Sequence, residues 1–227
     1  MDNWAAEKGQ DAEQDIKRFL EAHYPWPVFA NVYIPAGGHS TEVDILMVTS
    51  FGLCVIESKA YKGQIFGTDS DQMWTQFLDG QTFSFYNPVK QNAGHCDRLA
   101  EYLHIDRSAI LSIICFSDTA DITRAIVDTG DGDLCLCNFC ELEDTLELLI
   151  DDHEDIFDEA AQAELIHQVE ALSDSGQAAK EQHISRLKSN IHGLCPVCGR
   201  PFRGDCEIDD RLPYTLCPVC GKPLLQF

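Results

Sequence analysis

The sequence predicts an α/β fold: a mixed sheet flanked by helices, followed by a helical segment and a small cysteine-rich unit. Three observations carry this. Short β-rich apolar runs alternate with helix-period segments through residues 1–140. Residues 141–192 keep the helical period but lose the strand-like runs. Residues 193–227 repeat Cys-Pro-Val-Cys-Gly and hold too little apolar material for a core of their own. The predicted divisions are therefore 1–140, 141–192 and 193–227.

Residues 4–22 read as a helix with Ile16, Phe19 and Leu20 in its apolar stripe, ended by Tyr24-Pro25-Trp26-Pro27. Residues 28–34 are a strand and 35–38 a loop. Residues 42–48 and 53–56 are apolar, β-rich runs on either side of a short turn, which predicts a hairpin. Residues 64–67 and 82–86 look like short strands flanking Trp74. Asn87-Pro88 opens a helix to about residue 104, with proline in the first turn, where its missing N–H costs nothing. Residues 109–116 form a strand apolar enough to be covered on both faces, and 121–136 add short strands. Residues 141–152, 160–172 and 179–192 read as helices, with Ser173-Asp174-Ser175-Gly176 as the linker among them.

Eleven cysteines are an odd count in a 227-residue chain, and four of them sit in two Cys-Pro-Val-Cys pairs. This favours a reducing compartment and a metal site over a disulfide scaffold. No apolar run approaches a membrane span, and Met1-Asp2-Asn3-Trp4 lacks the basic-then-apolar pattern of a leader. The expectation is a cytoplasmic protein without membrane attachment. The formal net charge of −22 weighs against nucleic-acid binding through overall positive charge. Residues 141–159 alone hold ten acids and no lysine or arginine. A solvated helical face is the ordinary meaning of such a run, and a surface for a protein partner the other.

The hairpin carries the chemistry. A turn centred between Ser50 and Phe51 would place Asp44 opposite Glu57 and Glu42 opposite Lys59, all projecting from one face. Two close carboxylates on otherwise buried strands repel and lose hydration unless something positive lies between them. A hard cation such as Mg²⁺ or Mn²⁺ suits oxygen ligands of this kind. Lys59 could then orient or deprotonate a water, or stabilise charge on a phosphate. The plainer alternative is a polar strand end with a Glu42–Lys59 ion pair. Gln91 and His95 lie one turn apart on a helix and share a face with Leu99 and Tyr102.

These segments resemble a known family. Glu42-Val43-Asp44-Ile45-Leu46, Gly52-Leu53-Cys54-Val55-Ile56-Glu57-Ser58-Lys59 and Lys62-Gly63-Gln64-Ile65-Phe66-Gly67 look like the NERD, or nuclease-related, domain of the PD-(D/E)XK superfamily. The opening Lys8-Gly9-Gln10-Asp11-Ala12-Glu13 and the later Asn87-Pro88 with Gln91 and His95 resemble that family's first helix and its Q-x-x-x-H helix. The likeness spans about residues 5–105, with Ala12 where a second glycine is usual and Val43 where the superfamily has proline. It implies a restriction-endonuclease-like sheet, metal ligation by Asp44 and Glu57, a catalytic Lys59, and supporting roles for Glu13 and Gln91. It also implies nuclease activity on DNA ahead of RNA. His95 reads as a positioning residue.

At the other end, Cys195-Pro196-Val197-Cys198-Gly199 and Cys217-Pro218-Val219-Cys220-Gly221 give the spacing C-x₂-C-x₁₈-C-x₂-C. Two such knuckles complete a tetrahedral Zn²⁺ site, so a zinc ribbon is expected, with the ion supplying its folding energy. Arg200, Arg203, Arg211 and Lys222 could touch phosphates or a protein partner. Four thiolates leave no open coordination position, which excludes zinc hydrolase chemistry there. Cys135, Cys137 and Cys140 read as buried strand cysteines before a metal cluster, Cys54, Cys96 and Cys115 as core, and Cys206 is unassigned. The expected function is metal-dependent phosphodiester hydrolysis. The rival is a non-catalytic scaffold that keeps the nuclease fold for protein contacts.

Overall fold

The computed structural model describes residues 4–36, 39–130 and 132–174, together with four two-residue strands near the C-terminus. It is a mixed α/β structure with two mixed sheets and flanking helices. The main sheet has the order β1-β2-β3-β7-β9. Its strands are β1 (Val28–Ala36), β2 (His39–Val48), β3 (Leu53–Lys59), β7 (Ile110–Phe116) and β9 (Leu134–Asn138). The first three run antiparallel through short connections, while β3, β7 and β9 are parallel.

Alternation along the strands explains why both faces of this sheet are covered. Ile45, Met47, Cys54, Ile56, Leu111 and Ile113 point one way, onto Ile16 and Leu20 of α1 (Trp4–His23) and Leu142, Leu146 and Leu149 of α3 (Leu142–Asp152). Leu46, Val48, Leu53, Val55 and Ile110 point the other way. They meet Leu99 and Leu103 of α2 (Pro88–Leu103) and Leu165 and Val169 of α4 (Glu159–Asp174). The acidic helices α3 and α4 are thus amphipathic, and their apolar stripes close the two sides of the sheet. Ser173 and Asp174, expected in a linker, lie in the last turn of α4.

A second sheet was not anticipated. Its order is β6-β5-β4-β8, from β4 (Gly63–Thr68), β5 (Met73–Leu78), β6 (Gln81–Tyr86) and β8 (Ala120–Ile126). Trp74 belongs to a strand of its own, fully buried against Phe85 and Phe116. Gly67 makes room for it, since a Cβ there would come within 2.3 Å of the indole. Asn87 joins the two sheets. Its carbonyl oxygen caps α2 through Val89 N–H, and its amide nitrogen donates to the carbonyls of Thr68, Asp69 and Asp71.

The C-terminal strands pair as two antiparallel ladders, β10 (Gly193–Leu194) with β11 (Pro201–Phe202) and β12 (Thr215–Leu216) with β13 (Pro223–Leu224). The expected helix at 179–192 and Cys195, Cys198, Cys206, Cys217 and Cys220 lie outside the described residues.

Candidate functional site

The hairpin register is the one expected from the sequence as far as Ile45 opposite Ile56, with Val48 opposite Leu53 at the turn. Thr49 closes that turn by donating from its N–H and its hydroxyl to Gly52 O. Beyond Ile45 the ladder stops, and here the expected geometry needs correction. Between Val43 and Ile45 the side-chain alternation breaks, because Val43 packs with Leu46 and Val48 while Ile45 packs on the opposite face. The neighbouring strand shows the matching irregularity. Asn31, across from Asp44, is unpaired in the ladder and sits at φ 56, in the left-handed region that asparagine tolerates.

Asp44 consequently turns into the gap between strands, where its Oδ2 accepts from Ser58 N–H at 2.9 Å. A side chain has taken the place of a ladder carbonyl. Glu42 does not meet Lys59. It accepts from the Tyr33 hydroxyl at 2.7 Å instead, on the side of β1.

Lys59 reaches back to Glu57, with Nζ 2.6 Å from Oε1, and donates to Gln91 Oε1 at 3.1 Å. α2 therefore delivers Gln91 to the ammonium. One turn on, His95 shares a 2.8 Å hydrogen bond through Nδ1 with Thr41, while its Nε2 lies 3.5 Å from Glu57 Oε2. Leu99 continues this buried face, but Tyr102 is largely solvent-facing and does not. Glu13 on α1 accepts from Asn31 Nδ2 at 3.2 Å, close enough for its charge to weigh on Asp44. The five residues expected at the site, Glu13, Asp44, Glu57, Lys59 and Gln91, are thus brought into one neighbourhood from two strands, β2 and β3, and two helices, α1 and α2. Thr41, Asn31 and Ser58 N–H were missed. Only Asn31 left a signal, as a residue type suited to a left-handed kink.

The electrostatics separate the two carboxylates. Burial raises the Asp44 carboxyl well above its usual range, Glu57 and Glu13 push it further, and Lys59 and the Ser58 N–H only partly offset them. Burial would raise Glu57 too, but the Lys59 ammonium and His95 outweigh it and hold that carboxyl at about 2. Lys59 is drawn down by burial but lifted above its ordinary value by Glu57, Tyr61 and Asp44, so it stays an ammonium. Two oxygen-ligand side chains meet here, and no cluster of three or more histidine, cysteine or acidic ligands occurs among the described residues.

The residues fit a hard divalent cation on one particular observation. Glu57 Oε2 is buried, on a side chain only 2% exposed, and makes no hydrogen bond; its neighbour His95 Nε2, 3.5 Å away, is buried and equally unsatisfied. Such an orphaned carboxylate oxygen costs free energy unless a positive group completes it. Asp44 and Glu57 would hold that cation, with water filling its remaining positions. Two surface clefts, one bounded by Ser50, Ile156 and Gln162 and one by Val89, Arg107 and Leu134, lie apart from these residues.

Residues 8–117 match the family described as the nuclease-related domain, NERD. An uncharacterized protein of Bacillus anthracis is 29% identical over 127 residues, which are 55% of this chain and 59% of that protein. The chain therefore aligns with well under two thirds of that relative's length. The crystal structure of a protein of unknown function, AF1548, aligns over 80% of this chain and 97% of that one, at 14% identity and a TM-score of 0.34.

Proposed function

We propose that this chain is a divalent-cation-dependent nuclease of the PD-(D/E)XK type that hydrolyses phosphodiester bonds, with DNA as its substrate. The observation that carries this is the orphaned, buried Glu57 oxygen beside a second carboxylate and a held lysine, inside a match to a nuclease-related domain. Asp44 and Glu57 would hold Mg²⁺ or Mn²⁺, which would supply Lewis-acid polarisation of the phosphate and a more acidic water.

The remaining work falls to the protein's own groups. Glu57 and Asp44 lift Lys59 above its ordinary value, so it stands as an ammonium whose part is to stabilise the negative charge that grows on the phosphate. Gln91 fixes the direction of that ammonium by accepting one of its hydrogens. Thr41 and His95 fix Glu57 from behind, and Glu13 steadies the Asn31 kink that turns Asp44 inward.

The ribbon is the second half of the proposal. Each Cys-Pro-Val-Cys-Gly falls in the segment joining a pair of short antiparallel strands, 195–200 between β10 and β11 and 217–222 between β12 and β13. Cys195, Cys198, Cys217 and Cys220 hold structural Zn²⁺. With a net charge of −22, the chain is a poor non-specific binder, and the ribbon, or a protein partner docked on it or on the acidic helices, recruits the nucleic acid in the cytoplasm.

The test is cleavage of linear and circular DNA with and without Mn²⁺, comparing wild type with Asp44→Asn, which retains an oxygen for Ser58 N–H. Metal-dependent cutting in the wild type, reduced by at least about 10³-fold in the variant, is the expected result. Equal cutting by both proteins would remove Asp44 from the mechanism.

A further inference from the structure

Five thiols gather on the side of the main sheet away from α2. Cys54 is on β3, Cys115 on β7, and Cys135 and Cys137 on β9, all within or against the apolar cluster under α1 and α3. Cys140 follows in the 3₁₀ turn Phe139–Glu141 that leads into α3. All five are free thiols. Their exposures differ sharply: Cys115 and Cys137 are 1% and 2% exposed, whereas Cys140 is on the surface. Buried strand cysteine therefore describes Cys137 but not Cys140.

Cys115 and Cys137 are direct partners in the parallel register of β7 and β9. Neighbouring strands lie about 4.7–4.9 Å apart, within the roughly 4.4–6.8 Å between Cα atoms that a disulfide spans. Both side chains enter the same cluster, so they project as neighbours from one face of the sheet. The turn carrying Cys140 is pinned on each side. Asn138 Nδ2 donates to Ser117 O and Ala120 O, Cys140 N–H donates to Asp118 Oδ1 at 2.7 Å, and Glu141 accepts from Asn138 N–H. That pins the turn carrying the exposed thiol, three residues beyond the buried Cys137.

We propose that Cys115, Cys137 and Cys140 form a thiol–disulfide exchange site, in which Cys140 reacts first with a small-molecule disulfide and Cys115 and Cys137 end as a cross-strand disulfide. The Cys140 thiolate attacks the disulfide, forming a mixed disulfide and expelling one thiolate, which takes up a proton. Cys137 then attacks the Cys140 sulfur and releases the second small thiol. Cys115 attacks the Cys137 sulfur, closes the β7–β9 bond and returns Cys140 to a free thiol. In sum two protein thiols lose two electrons and two protons, and one small-molecule disulfide leaves as two thiols.

The pair is disposed for this order. The Cys115 sulfur donates to Phe116 O, and the closeness of the two thiols lowers Cys137 while raising Cys115 well above its usual value, which makes Cys137 the readier nucleophile of the two. Cys140 is raised by its bond to Asp118, so its reactivity rests on exposure and the first exchange is slow. In a reducing compartment such a bond forms transiently and marks a redox signal more than a structural staple.

Incubation of the full-length protein with oxidised glutathione, alkylation of free thiols, and tryptic digestion without reduction tests this, independently of any cleavage activity. Cys115 lies on the peptide 108–124 and Cys137 on 125–180. The expected product is a link between these peptides at Cys137, with Cys135 and Cys140 alkylated, formed at least about tenfold more slowly in Cys140→Ser. A lasting glutathione adduct on Cys140, a disulfide closed within 125–180, or a link from Cys54 on 19–59 would overturn it. An unchanged rate in Cys140→Ser would remove Cys140 from the relay.

Discussion

Toward its turn, the β2–β3 hairpin pairs residues 45–48 with 53–56 in unbroken register and buries all eight side chains completely. Toward its open end the ladder ceases; Asp44 bridges the strands by accepting from Ser58 N–H, and Glu57 and Lys59 pair along β3. The same two strands thus hold a dry apolar half and a charged half within a few residues. A sheet can surrender ladder bonds and tolerate facing carboxylates at one end only because the other end is secured by burial on both faces.

The charged half breaks hardest when its cation is removed. Lys59→Met leaves the Glu57 carboxylate buried without its ammonium, and urea unfolding should show a loss of about 3–5 kcal/mol. A loss below about 1 kcal/mol would mean that Glu57 does not depend on Lys59. The apolar half responds to volume instead. Leu46→Ala should cost about 2–5 kcal/mol from lost burial and the cavity left under α2, with Mg²⁺ binding at the open end retained.

Asp44→Asn sharpens the contrast by acting in the other direction. It removes the repulsion from Glu57 and Glu13, so the metal-free protein should gain about 1 kcal/mol while losing its stabilisation by Mg²⁺. The pH dependence separates the two acids. Asp44 is raised above 3.8 in the fold, so its contribution is complete below about pH 4 and is lost as pH climbs through the raised value. Glu57 is held near 2, so its contribution is complete above its ordinary 4.5 and is lost only in strong acid. As pH rises above about 4, the metal-free wild type should therefore lose melting temperature relative to Asp44→Asn. Parallel slopes would mean that Asp44 ionises as freely folded as unfolded.

Alternation and turn length made much of this legible. The hairpin register from Ile45 to Val48 and α2 with its Asn87 cap follow from period and spacing. The break at Asp44 did not, because it depends on a left-handed Asn31 on another strand, and a residue's tolerance of that conformation does not say that it adopts it. The second sheet escaped for a related reason. Its strands are short, and Gly67 under Trp74 looks like a turn residue until the indole stacked on it is known. Thr41 behind His95 is a long-range pairing with no local trace.

The order of the strands also bears on how the protein is assembled. β1, β2 and β3 are joined by short connections and close cheaply, whereas β3 meets β7 only after the whole of β4–β6 and α2 has been placed. Asp44, Glu57 and Lys59 all belong to the early, local meander, and Gln91 and His95 arrive with the late, distant part. The facing acids therefore come together in a nascent sheet whose Lys59 is not yet steered by α2, so their mutual repulsion becomes a brake on the chain's own folding rate as well as a property of the finished molecule.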